Sequence, residues 1–250
     1  MHLLADHWEL LLFFFGIALL YATVGFGGGS SYIAVLAAYE VNYLLLRPLA
    51  LICNITVVGG GTWLQFKRGH LKWRKTLPLV LFSVPMAFLG AWLRIEEGLF
   101  YLILAFSLTA AGLLTIFRPS PSEGEEGGRH WWANAVIGGG IGFLSGLVGI
   151  GGGIFLAPLL HLTQWDRPKA IAAAASLFIL VNSIAGLTGH FISRGWDLDW
   201  GVAAALAGAV MAGGQIGARL GTGVLPQRAV KWGTALLVLF VGIRLLVRYL

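Results

Sequence analysis

Two short runs of glycine are the residues in this chain best suited to binding chemistry. GFGGG at Gly25–Gly29 is followed by Ser30 and Ser31, and GIGGG at Gly149–Gly153 is followed by Ile154. Four glycines within five residues make a poor helix, since each costs about 1 kcal/mol relative to alanine. A chain that breaks there and restarts leaves unpaired N–H groups, carrying partial positive charge, at the new helix start. Such groups can hold an anion without a lysine or arginine. Gly27, Gly28, Gly29, Ser30 and Ser31 are expected to supply donors on one side, and Gly151, Gly152, Gly153 and Ile154 on the other. Asn54 and Asn182 occupy matched places in apolar surroundings, where an amide needs a partner, and join the candidate substrate-binding set. The competing use of glycine is close helix packing, which suits isolated pairs such as Gly213-Gly214 better.

Other chemistries find little support. No carboxylate lies in any of the apolar stretches described below, and GFLSG around Ser145 lacks the spacing of a GxSxG nucleophile elbow. A hydrolase needs a nucleophile and base, or clustered metal ligands, so no catalytic residue, metal or cofactor is expected. No GxxxxGK[ST] phosphate loop is present, which leaves no on-chain nucleotide motor. His190 and His161 read as structural histidines. Arg47 and Arg167, each before a proline, could attract anions, although helix-start residues snorkelling to an interface explain them slightly better.

The elements that carry these residues belong in lipid. The chain is 58% hydrophobic and 11% charged, against about 25% charged for a typical soluble domain. Asp, Glu, Lys and Arg are missing from Leu10 to Tyr39, Pro48 to Phe66, Thr76 to Leu93, Gly98 to Phe117, His130 to Trp165, Ala170 to Ser193 and Trp200 to Ala218. Trp232 to Leu250 is broken only by Arg244 and Arg248. A spanning helix needs roughly 17–25 such residues. The windows from Leu10 and His130 hold 30 and 36 residues, too many for one span, and each contains a glycine run. Each is expected to be a helix, a break and a shorter helix. The ten tryptophans lie near window edges, as expected of indoles in a headgroup layer. Pro78 and Pro85 are expected to kink one helix. The first apolar segment reads as a retained helix. Cys53 stands alone, so no intrachain disulfide can form.

The two halves resemble each other. A polar stretch, Arg118 to Arg129, separates them and reads as a solvated linker. GFGGG answers GIGGG, RPLA at Arg47–Ala50 answers RPKA at Arg167–Ala170, and Asn54 answers Asn182. Arg68-Gly69 answers Arg194-Gly195, Trp73 answers Trp200, and Leu89–Ala91 answers Ile216–Ala218, all in one order with gaps. This indicates an internal duplication: a first repeat over 1–117, a linker over 118–130 and a second repeat over 131–250. Lys67, Arg68, Lys72, Arg74 and Lys75 place their loop on the cytoplasmic side. With an odd number of crossings per half, twelve basic residues fall inside and five outside, which favours inverted repeats.

The expected fold is therefore an all-α, polytopic membrane protein. It comprises two pseudo-symmetric inverted repeats of about four to five transmembrane segments, each with one short broken helix after its GxGGG motif. The paired GxGGG clusters, the Arg-Pro-x-Ala segments, SVPMAFLGA at Ser83–Ala91 and AGGQIGARLG at Ala212–Gly221 resemble the sulfite exporter TauE/SafE family of membrane permeases. The resemblance runs from about Leu10 to Leu250. It implies a secondary transporter for a small sulfur-containing anion, such as sulfite, thiosulfate or a sulfonated carboxylate, in a bacterial-type inner membrane. A channel or a non-transporting membrane scaffold is the alternative. The expected partners are that anion and the lipid bilayer, not nucleic acid, and a homo-oligomer is left open.

Overall fold

The computed structural model describes residues 7–23, 26–117, 131–220 and 227–250; the linker expected at 118–130 lies outside them. Among the described residues, ten helices follow one another: α1 (Glu9–Thr23), α2 (Gly29–Ala38), α3 (Tyr43–Lys67), α4 (Trp73–Trp92), α5 (Glu97–Phe117), α6 (Trp131–Val148), α7 (Gly153–Leu162), α8 (Pro168–Arg194), α9 (Trp200–Leu220) and α10 (Gln227–Tyr249). The described residues contain no strand. Each overlong window holds two helices, α1 with α2 and α6 with α7, parted at its glycine run. Among the described residues six helices, α3, α4, α5, α6, α8 and α9, are long and apolar enough to cross a membrane. At 10 residues each, α2 and α7 rise about 15 Å, half the hydrocarbon thickness of a bilayer.

Packing repeats between the halves. α4 lies on α6, and α9 lies on α1. α4 also meets α8 as α9 meets α3; α2 touches α3 and α10 as α7 touches α8 and α5. The tight pairs depend on glycine. A Cβ on Gly138, Gly142 or Gly146 of α6 would strike the backbone of Leu79, Ser83 or Ala87 of α4, and one on Gly213 or Gly217 of α9 would strike Phe15 or Leu19 of α1. Gly213 is thus a packing residue.

Helices α3 and α8 pack directly on each other and run antiparallel. Tyr43 at the start of α3 lies 5.9 Å from the Arg194 guanidinium at the end of α8; further along, Leu51 faces Gly186. α5 and α10 are antiparallel as well, with Tyr101 stacked on Tyr249 at 4.6 Å and Gly112 against Leu239. α3 and α8 form the centre and carry the largest buried fractions of the six long helices. The perimeter is apolar, with Leu12, Phe13, Leu81, Phe82, Phe106 and Phe240 exposed.

Nine tryptophans are about half exposed or more, but Trp165 is buried at 1% and is no interfacial anchor. Its indole N–H donates to Asn134 Oδ1 at 3.2 Å, beside an ion pair between Lys75 Nζ and Asp166 Oδ2 at 2.8 Å. Burial pushes the Asp166 carboxyl up, but the Lys75 bond and the Arg167 N–H outweigh it and hold it below the usual carboxylate range. The stability from this pair is therefore complete above pH ~4 and is lost as pH falls through the lowered value. Asp166→Asn is expected to cost about 2 kcal/mol at neutral pH and to flatten the acid limb of a melting-temperature profile. An unchanged acid limb would show that the pair contributes nothing.

Candidate functional site

Both glycine runs turn the chain through backbone that only glycine adopts easily. Gly28 caps α2 with φ 86° and Gly152 caps α7 with φ 80°, and Gly149 and Gly151 are also left-handed, at 83° and 82°. Left-handed backbone is disfavoured for residues bearing a Cβ. The first backbone bond of α2 runs from Tyr32 N–H to the Gly28 carbonyl at 3.0 Å, so Gly29, Ser30 and Ser31 have no N–H partner within their helix. In α7, Phe155 and Leu156 both donate to the Gly152 carbonyl at 3.2 and 3.0 Å. Gly153 and Ile154 are left in the same state.

The two turns meet around Asn54. Its Nδ2 donates to the Ile150 carbonyl, in the other half's turn, at 3.1 Å. A Cβ at Gly27 would lie 2.5 Å from Asn54 Oδ1, one at Gly29 would overlap Asn54 Nδ2, and one at Gly151 would lie 2.6 Å from Asn54 Nδ2 and 3.0 Å from Ser183 Oγ. Gly27, Gly29, Gly151, Ser183 and Asn54 thus form one centre at the crossing of α3 and α8. Gly28 packs on Ile17 and Tyr32, Gly152 on Phe178, Ile141 and Ser145, and Gly153 on Ile179. Asn182, the neighbour of Ser183 on α8, is fully buried.

Several polar atoms at this crossing have no hydrogen-bond partner: Asn54 Oδ1, both amide atoms of Asn182, and Ser183 Oγ. The Ser145 hydroxyl on α6 is in the same state. An unsatisfied buried polar group costs about 1–3 kcal/mol, so this cluster carries an uncompensated cost in this conformation. Ser30 is buried on α2. Ser31 is taken, because its hydroxyl bonds Tyr21 Oη at 2.7 Å; it does not add a free hydroxyl to the first turn. Ser183 and the Ile150 carbonyl escaped the sequence reading, since nothing in sequence marks a serine among many or a carbonyl as facing the other half.

The close fit also shows what the glycines do in this conformation: they make room for Asn54. A groove of about 330 Å³ lies elsewhere, lined by Ile52 of α3, Leu187 and Phe191 of α8, and Trp200 and Ala203 of α9 among others. Arg47 departs from the snorkelling expected of it. It lies inside α3 and is 2% exposed, whereas Arg167 caps the start of α8. The two Arg-Pro pairs therefore fall at different helical positions, Pro48 inside α3 and Pro168 at the start of α8.

The class of protein comes from comparison with known proteins. The sequence pattern of the family "Sulfite exporter TauE/SafE" matches residues 10–245; the chain belongs to that family and is a membrane transporter. It is 31% identical to a probable membrane transporter protein, y4hK, of Sinorhizobium fredii, over 95% of this chain and 97% of the relative. It is 25% identical to the probable membrane transporter protein MamO of Paramagnetospirillum magneticum, over 82% of this chain but 39% of that longer protein. An 80-residue stretch is 36% identical to the probable membrane transporter protein YunE of Bacillus subtilis. No solved structure matches the chain.

Proposed function

We propose that this protein is a secondary carrier of a small sulfur-containing anion, such as sulfite, thiosulfate or a sulfonated carboxylate, in a bacterial cell (inner) membrane. The anion is held where α3 crosses α8, by the N–H groups of the turns at Gly27–Ser31 and Gly151–Ile154 and by the amides of Asn54 and Asn182. The observation that carries this reading is the meeting of two helix starts with unpartnered buried amides and hydroxyls. Neutral N–H and O–H donors suit an anion that must also leave.

The halves are, on this reading, inverted repeats over 1–117 and 131–250. Counterpart helices that pack antiparallel, as α3 with α8 and α5 with α10 do, are related by an axis across their length. For spanning helices that axis lies in the membrane plane. The axis passes close to Asn54 and Asn182, the matched pair, so the site sits where the halves part. Alternating exposure then requires the Asn54–Ile150 bond between halves to open as one repeat rocks against the other. A homo-oligomer is compatible with this arrangement but not required by it.

Proteoliposomes loaded with labelled sulfite, thiosulfate or sulfoacetate test the proposal. Flux that saturates and shows counterflow is expected. Unsaturable flux would make the protein a channel, and none above empty vesicles would favour a scaffold. Gly152→Leu, which forces a side chain onto left-handed backbone against Phe178, is expected to abolish flux while the protein still inserts. The same is expected of Gly28→Leu.

A further inference from the structure

We infer that a second anion-binding station lies about 10 Å from the first, centred on the Arg47 guanidinium, and that it takes the oxyanion group of the same substrates. This rests on the carrier reading above.

Arg47 precedes Asn54 by seven residues on α3, two turns along the same face. It is 2% exposed, and neither Nη1 nor Nη2 has a hydrogen-bond partner. Its guanidinium lies over the Phe100 ring of α5 at 4.8 Å. Its stem packs on Gly149, where a Cβ would come 2.9 Å from Arg47 Cα, so it abuts the second glycine turn. On α8, His190 and Arg194 are close enough to interact electrostatically with it, and Tyr43 is the remaining titratable neighbour. His190 is 5% exposed, with Nδ1 unpartnered, and falls seven residues after Ser183, again on one face.

Two guanidiniums, Arg47 and Arg194, lie near each other here without a paired carboxylate. Among the described residues, the ion pairs of Glu9, Glu40 and Asp166 do not involve Arg47, His190 or Arg194. Arg194 reaches only the Ile95 carbonyl, at 3.4 Å, and the face of Tyr43. A buried, unpaired guanidinium is unfavourable unless something binds it, and its planar fork matches a sulfonate or thiosulfate group through two parallel bonds. Leu51, against Gly186, separates this station from Asn54. The station lies at the end of α3 opposite the basic loop that follows Lys67, and would receive the anion on the way to or from that side.

Arg47→Met and Arg47→Lys in proteoliposomes, with thiosulfate as the probe, provide the test. Arg47→Met is expected to raise KM at least about tenfold, the loss of one charge-assisted contact. Arg47→Lys, which keeps the charge but not the fork, is expected to raise it about threefold to tenfold. Ligand-free Arg47→Met should melt a few degrees higher than the wild type, and thiosulfate should raise its melting temperature less than it raises that of the wild type. A lower melting temperature with unchanged KM in both variants would make Arg47 structural and overturn the station. If Arg47→Met does not fold, an unchanged KM in Arg47→Lys overturns it alone. Normal KM here with inactive Asn182→Leu would sink this station and leave the carrier reading intact; no transport of thiosulfate, sulfite or sulfoacetate by the wild type would remove both.

Discussion

Asn182→Leu is expected to lower thiosulfate flux ten- to a hundredfold while leaving the protein as stable as the wild type or more so. Asn182 is fully buried, and neither of its amide atoms has a partner. Leucine has nearly the same shape and removes a penalty of about 1–3 kcal/mol for an unsatisfied buried amide. A hydrogen bond to a charged ligand is worth about 1.5–3 kcal/mol, which sets the expected loss of flux. Asn54→Leu should behave differently, because Asn54 bonds the Ile150 carbonyl: flux falls, and about 1 kcal/mol of stability goes with it. Melting temperature in detergent, measured beside flux, separates the two. If Asn182→Leu melts well below the wild type, the amide is a structural bond and not a ligand for the anion.

Gly146→Leu is expected to prevent stable folding. Gly138, Gly142 and Gly146 form a stripe along α6 on which the α4 backbone rests, and a Cβ at Gly146 would overlap Ala87 main-chain atoms. Backbone cannot swing aside as a long side chain can, so the helices must separate, at a cost of about 3 kcal/mol or more. Gly140 lies on the same helix with nothing within 4 Å of its Cβ position; Gly140→Leu should fold normally. The readout is the monodisperse fraction after detergent extraction. Equal yields from both variants would show that α4 and α6 do not meet through this stripe.

Much of this architecture is legible in the sequence because lipid imposes it. Charge-free windows delimit the helices, since a charged group in the bilayer core is costly, and the glycine runs mark the two breaks, since glycine destabilises a helix. Trp73 and Trp200 begin α4 and α9, and Asn54 and Asn182 are both buried on central helices. Tertiary pairing is what the sequence hides. Trp165 looks like every other edge tryptophan until Asn134 is found beside it. Arg47 looks like a helix-start arginine until α3 is seen to begin at Tyr43, one turn earlier. Ser31 looks free until Tyr21 is found beside it. For Trp165 and Ser31 the deciding partner lies on another helix, and no periodicity along one segment encodes it.

A structure determined with thiosulfate bound addresses the glycine turns most directly. Density for the anion is expected between the two helix starts, within hydrogen-bonding distance of Asn182 Nδ2 and of backbone N–H groups at Gly29 or Gly153. Density confined to the groove between α3, α8 and α9, with the glycine turns still closed on Asn54, would mean that those turns serve helix packing alone.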